Sequence, residues 1–275
     1  MSSILNNTSA MNALATLKMV NRGLNETQDR VSTGLAIRSG KENAAYFALS
    51  ETMSSDSGMY KAINEGMTAT KNSVATARLG AETVTDLTSQ FIERVAFAQT
   101  EGIDRADVQA ELVGLASQIQ GVIDQSTFNG NDLVGGPAAT TTVTTGITRS
   151  GGTFATTSIS FQSVDLQAIH DALAAIDVTD TGTTMSAKLS TAEGQLSNAI
   201  AAATSLGVTE KTLEGQMQFL DSLTDTLDSG VSSLVDADME EEAARLQAYQ
   251  VQQQLATQSL SIANQSPQNI LSLFR

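Results

Sequence analysis

The sequence predicts a mainly α-helical protein: an elongated helical bundle and a terminal coiled coil, with a small β-hairpin and an outer β elaboration. Three observations carry that prediction. Leu206, Leu213, Leu220, Leu227 and Leu234 fall at seven-residue intervals, extended backwards by Ala199 and Ala192, which is the seam of a coiled coil. Pro137 and Pro267 are the only prolines, so long stretches are free of the residue that lacks an amide hydrogen and clashes with the preceding turn. The apolar content, 41% of residues with 4% aromatic and no tryptophan, rests on Ala, Leu, Val and Ile, which let helices pack closely.

Ala10, Ala13, Leu14, Leu17, Leu24 and Val31 recur at helical spacing and define a thin stripe on a first helix, expected to break at Thr33-Gly34. Ser39-Gly40-Lys41-Glu42 reads as a capping box for a long second helix running to about Thr100. Gly102 and Asp104 signal a stop and a new N-cap, followed by a shorter helix with Val108, Leu112, Leu115, Ile119 and Val122 on one face. Asn129-Gly130 marks a tight hairpin turn, because both residues tolerate positive φ.

Residues 140–163 hold thirteen Ser or Thr among twenty-four, with Ala155, Thr157, Ile159 and Phe161 alternating against polar neighbours. That composition predicts short strands and exposed turns in an outer segment that accepts insertion near Gly151. Asp165 caps a short helix carrying Leu166, Ile169, Leu173 and Ile176, and a Thr/Gly-rich loop over 179–184 leads into the heptad helix, whose stripe Met217 and Leu223 widen. The last helix begins near Asp238 with Glu240, Glu241 and Glu242 in its first turn, where the macrodipole favours negative charge. It runs through Leu246, Tyr249, Ala256, Leu260 and Ala263 to stop before Pro267. The expected domains are 1–38 with 236–275, 39–137 with 165–235, and a Ser/Thr-rich outer segment over 138–164.

A formal charge of −15 argues against nucleic acid as a partner, since its phosphates would be repelled. Cysteine is absent, which excludes disulfides and thiolate metal sites. No apolar run approaches membrane-spanning length and no cleavable secretory peptide is evident, so membrane insertion is not expected. His170 is the only histidine, which removes any two-histidine zinc motif; an ordinary helix residue is its stronger reading. Asp236, Asp238 and the glutamates that follow lack the glycine-bearing loop of a calcium site, and capping explains them better. No catalytic, cofactor-binding or metal site is expected.

Two segments at opposite ends carry a family resemblance. Asp29-Arg30-Val31-Ser32-Thr33-Gly34-Leu35-Ala36-Ile37-Arg38-Ser39-Gly40-Lys41-Glu42-Asn43-Ala44-Ala45 resembles the signature R-[LV]-S-T-G-L-x-I-x-S-x-K-[DE]-[DN]-A-A. Near the other end stands Ala263-Asn264-Gln265-Ser266-Pro267-Gln268-Asn269-Ile270-Leu271-Ser272-Leu273. Thr127-Phe128-Asn129-Gly130 is similar to T-x-F-N-G, and Val235-Asp236-Ala237-Asp238-Met239 to I-x-D-A-D-M. Over residues 1–135 and 185–275 the chain resembles a bacterial flagellin.

The resemblance implies a structural subunit, exported unfolded through the flagellar type III channel, that self-assembles into the extracellular helical filament used for swimming. Its termini would form a coiled-coil inner domain lining the channel, and the next segments a helical-bundle outer tube. The implied partners are copies of itself, an export chaperone, the filament cap and hook-associated proteins, with no cofactor. On this reading Leu14, Leu17, Leu24, Val31, Leu246, Tyr249 and Leu260 are the inner-domain assembly stripe, and Leu206, Leu213, Leu220, Leu227 and Leu234 the bundle core. Gln250, Gln252, Gln253, Gln254 and Gln258 would hydrogen-bond between packed helices without adding charge.

The hook–filament junction protein resembles flagellin at both ends, and a helical signalling or adhesin stalk is the alternative from another class. Flagellins detected by the vertebrate Toll-like receptor resemble one another in Q-R-[IV]-R-E-L, to which Gln90, Phe91, Ile92, Glu93, Arg94 and Val95 correspond. Phe91 replaces the receptor-contacting arginine, and Glu93-Arg94 reverses the charge order. This implies weak receptor activation, and Phe91→Arg is expected to restore part of it if the rest of the surface is compatible; the other reading of Phe91 is a packing residue of the bundle.

Overall fold

The computed structural model describes residues 7–150 and 153–273, with side chains over 7–148 and 155–265. The described residues form six helices and two hairpins: α1 (Thr8–Thr33), α2 (Ala44–Phe97), α3 (Arg105–Gln125), β1 (Thr127–Phe128), β2 (Asn131–Asp132), β3 (Thr140–Ser150), β4 (Thr153–Gln162), α4 (Leu166–Ala174), α5 (Met185–Val235) and α6 (Met239–Leu273). They fall into two compact units. A terminal unit joins the residues up to Asp56 with those from Thr226 onward, and a bundle unit holds Ser57–Asp225.

In the bundle unit, α2 and α5 run antiparallel, bridged by Asn64 to Asp221, Lys71 to Glu214 and Arg78 to Glu210. Their inward faces repeat every seven residues. Met67, Val74, Ala81, Thr88 and Val95 of α2 are buried, as are Ala192, Ala199, Leu206, Leu213 and Leu220 of α5. Thr88 is the polar member, and its hydroxyl donates to the Val84 carbonyl at 2.7 Å, so its burial leaves no unmet hydrogen bond. Leu227 and Leu234, which continue the leucine stripe into the terminal unit, are half-buried, as are Met217 and Leu223.

Asp104 caps α3 through the Ala106 amide and Asp165 caps α4 through the Ala168 amide. The face of α3 differs by one column from expectation: Ala116 and Ile123 are buried beside Val108, Leu112 and Ile119, whereas Leu115 and Val122 are half-buried. An apolar stripe wider than one heptad column has two centres, and the position of α4 selects between them. Leu166, Ile169, Leu173 and Ile176 close the core from the α4 side.

α2 does not begin with the expected capping box. Asn43 directly precedes the first helical residue, and its Oδ1 accepts from the amides of Ala45 and Tyr46 at 3.1 and 3.2 Å. Glu42 instead reaches back to the Arg38 amide at 2.7 Å. Ser39 comes four residues before Asn43, outside the capping position, and its carbonyl instead accepts from the Glu42 amide at 3.0 Å.

β1 and β2 close on Asn129 at φ 50 and Gly130 at φ 80, as the Asn-Gly pair predicts. The Ser/Thr-rich segment forms one long antiparallel hairpin, β3 with β4, rather than several short strands. Thr141 opposite Phe161 and Val143 opposite Ile159 turn inward, and Phe161 is buried; Thr142 with Ser160 and Thr144 with Ser158 are exposed. At a bulge between Thr144 and Gly146 the unpaired Thr145 offers its carbonyl to Gln216 Nε2 at 3.2 Å, and beyond it Tyr60 Oη donates to Ile147 O at 3.1 Å. The base of the hairpin therefore packs on the bundle, while Ala155 and Thr157 further along are exposed. Gly151 lies outside the described residues.

In the terminal unit, α1 ends at Thr33 as expected: Gly34 adopts φ 74 and donates its amide to Arg30 O at 2.8 Å. α6 does not stop before Pro267 but continues to Leu273. A proline inside a helix orphans the carbonyl four residues earlier, here Ala263 O, and Asn7 Nδ2 donates to that oxygen at 2.8 Å.

Candidate functional site

The terminal helices are assembled from the two ends of the sequence, and they pair along most of α1. Buried or half-buried residues on α1 alternate by three and four: Ala10, Ala13, Leu17, Val20, Leu24, Thr27 and Val31. On α6 the matching series is Glu242, Leu246, Tyr249, Gln253, Ala256, Leu260 and Ala263. The helices run antiparallel: Asn7 meets Ala263, Asn21 accepts from Gln253 Nε2 at 2.7 Å, and Arg30 meets Glu242 at 3.3 Å. Gly23 lies under the Tyr249 ring so closely that a Cβ there would come within 2.6 Å of it, which is why this position has no side chain.

Of the expected assembly residues, Leu17, Leu24, Val31, Leu246, Tyr249 and Leu260 stand on this seam. Leu14 does not; it is 42% exposed, one position off the three-and-four alternation. Sequence reasoning missed Val20 and Thr27, the two buried residues of α1, although extending the steps from Ala10, Ala13 and Leu17 reaches both. Among the five glutamines singled out, Gln253 is on the seam, and Gln250, Gln252, Gln254 and Gln258 are exposed.

At the other end of the pair, two of the motifs that carry the family resemblance touch each other. Ala36 and Ile37 donate their amides to Val235 O at 2.7 and 3.3 Å, and Ala237 donates to Gly34 O at 2.8 Å. Asp238 Oδ1 accepts from the amides of Glu240 and Glu241 at 3.0 and 3.2 Å, so it caps α6. Glu242 is 5% exposed, and its carboxylate receives Arg30 Nη1 at 3.3 Å and Arg245 Nη1 at 3.0 Å. Removing one cation from a buried carboxylate costs about 3–5 kcal/mol when no other remains. Because Arg245 stays, Arg30→Ala is expected to cost about 2 kcal/mol, read as a lowered midpoint in urea unfolding followed by circular dichroism.

Arg38 ties the segment after α1 together, with Nη1 at 3.1 Å from Asp29 and Nη2 at 3.0 Å from Glu42. The Arg38 amide first, and then its guanidinium, hold the Glu42 carboxyl below its ordinary range. A carboxyl with a depressed folded pKa contributes stability above its unfolded pKa and loses it as the pH falls through the lowered value. Acidification into that window is therefore expected to raise amide exchange over residues 35–43. Glu42→Gln should remove the pH dependence of that change, and an unaltered acid response in that variant would contradict the assignment.

A cavity of about 210 Å³ between α3 and α4 is lined by Phe91, Leu112, Leu173 and Ile176, with His170 and Ser117 at its margin. The Ser117 hydroxyl donates to Val113 O at 2.9 Å, and His170 Nδ1 lies 2.9 Å from Asp171 Oδ1, whose carboxyl this contact holds below its ordinary range. Among the described residues no group of three or more His, Asp or Glu is placed to hold a metal ion. No described helix is long and apolar enough to cross a membrane.

The receptor-motif residues divide between core and surface. Gln90, Glu93 and Arg94 are exposed, Arg94 pairing with Glu111 at 3.3 Å, whereas Phe91 is 1% exposed and Val95 fully buried. Phe91 is thus a core residue, and the expectation that an arginine there restores a receptor contact is overturned: its guanidinium would point into the bundle.

Comparison with known proteins agrees with this geometry. The model of the bacterial flagellin N-terminal helical region matches residues 4–139, and that of the bacterial flagellin C-terminal helical region matches residues 189–274. A flagellin of Brucella melitensis biotype 1 is 36% identical over 288 aligned positions, covering the whole of both chains. Flagellin FljK of Caulobacter vibrioides is 34% identical, covering all of this chain and 99% of its own length, and flagellin C of Rhizobium meliloti is 29% identical over the full length of both. With the two ends that pair in the terminal unit both matched, and relatives aligned from end to end, the chain belongs to the bacterial flagellin family.

Proposed function

We propose that this chain is a structural subunit that polymerises with copies of itself into the helical filament of the flagellum, outside the cell, for swimming. The observation that carries this reading is the absence of charge from the paired ends. No Asp, Glu, Lys, Arg or His occurs from Met1 to Leu17 or from Leu246 to Phe274, in a chain of net charge −15. The outer faces there expose Met11, Val251, Leu255 and Ile262, with Ile262 63% accessible. Identical subunits that each carry a net charge of −15 repel one another, so an uncharged apolar face is where they approach at least electrostatic cost. A contact that repeats head to tail without closing builds an open helical filament.

The terminal pair is then the inner, tightly packed part, and residues 39–137 with 165–235 the surrounding bundle. The Ser/Thr-rich segment 138–164 takes the outermost place. The partners proposed with this reading, as the family resemblance implies, are an export chaperone, the filament cap and hook-associated proteins. The test is seeded polymerisation of purified protein, followed by sedimentation and electron microscopy. The chain alone should extend into long filaments, which also separates it from a junction protein. Leu255→Glu, which places a charge on the uncharged face, is expected to abolish sedimentable polymer while leaving the helical content of the monomer intact. Failure of the unaltered chain to extend seeds would overturn the reading.

A further inference from the structure

We propose that Asn7 is a positioning residue that strengthens the register of the terminal helix pair, by supplying the hydrogen bond that Pro267 deletes from α6. The inference rests on the filament-subunit reading and adds to it how the two ends find one alignment.

The small and aliphatic positions of the seam specify register weakly, because both series repeat with a seven-residue period. Tyr249 over Gly23, Gln253 at Asn21 and Glu242 at Arg30 oppose such a slide in the middle of the pair and toward the end of α1. At the start of α1 a further polar feature makes one alignment better than its neighbours, and Ala263 O is such a feature. In a regular helix that carbonyl would receive the amide of residue 267, and proline has none. Asn7 uses both ends of its amide group: Oδ1 accepts from the Ala10 amide at 3.0 Å, capping α1, and Nδ2 donates to Ala263 O at 2.8 Å. One seven-residue slide brings Asn7 to the carbonyl of residue 256, which the amide four residues on already serves in regular helix geometry. The orphaned carbonyl is an address, and Asn7 is the side chain of matching chemistry.

The experiment separates the cap from the bridge in the full-length chain. Asn7→Ser keeps a capping oxygen of equal quality and lacks the reach and the N–H of the amide. It is expected to raise the critical concentration for polymerisation about tenfold, the scale of one unmet, partly buried acceptor. Pro267→Ala returns an amide to α6, and in that background Asn7→Ser is expected to change the critical concentration less than about twofold. Register is read by cross-linking, since the chain has no native cysteine. Asn7→Ser should lower disulfide formation between Asn21→Cys and Gln253→Cys and raise it between Asn21→Cys and Leu246→Cys or Leu260→Cys. An equal effect of Asn7→Ser with and without Pro267, or cross-linking that does not shift, overturns the inference. A parent chain that forms no polymer at all would instead overturn the filament reading.

Discussion

Phe91→Arg is expected to unfold the bundle unit. Phe91 sits on α2 with 1% of its surface exposed, lining the cavity against Leu112, Leu173 and Ile176. Removing a buried phenylalanine ring costs about 3–5 kcal/mol, and burying an unpaired guanidinium costs several more, against about 5–15 kcal/mol for a whole domain. Urea unfolding followed by circular dichroism should show the cooperative transition lost or moved close to zero denaturant. A variant as stable as the parent would remove Phe91 from the core. The same burial changes how the receptor motif is understood, because the accessible surface is Gln90, Glu93 and Arg94 alone. We propose that the monomer activates the Toll-like receptor weakly, because position 91 presents no exposed arginine and Glu93-Arg94 reverses the charge order of the motif. A reporter-cell titration should show little response to the parent chain at concentrations where well-recognised flagellins saturate.

Chains lacking residues 1–35 or 240–275 are expected to keep the bundle unit folded and to lose polymerisation altogether. Each truncation removes one partner of the terminal pair, and neither helix can order well alone. The α1 seam is built from Ala, Leu, Val and Thr, and the α6 seam includes Gln253 and Glu242, so the apolar area each offers is small. The bundle core, by contrast, is contained within Ser57–Asp225 and keeps all of its buried residues. Circular dichroism should retain a cooperative helical transition while sedimentation shows no polymer at any concentration. Ordinary filaments from either truncation would detach those ends from assembly.

What the sequence alone determined are the features decided within a few residues along the chain. Gly34 as a left-handed stop, Asp104, Asp165 and Asp238 as caps, the Asn129-Gly130 turn and the seven-residue repeat on α5 each depend on hydrogen bonds or side-chain spacing inside one or two turns. Local chemistry of that kind is written where it acts. The family was legible for a related reason, since its signatures are contiguous runs whose members cap, pair and turn together. Only the tertiary structure decided which of two neighbouring columns on α3 enters the core and that Leu14 leaves the α1 seam. It also decided that Phe91 faces inward and that the base of a Ser/Thr-rich hairpin rests on Tyr60 and Gln216. Pro267 shows the physical reason most directly. Locally it is a helix breaker, and whether it breaks α6 depends on a donor at Asn7, 256 residues away from the carbonyl it serves, which becomes a neighbour only when both ends of the chain are brought side by side.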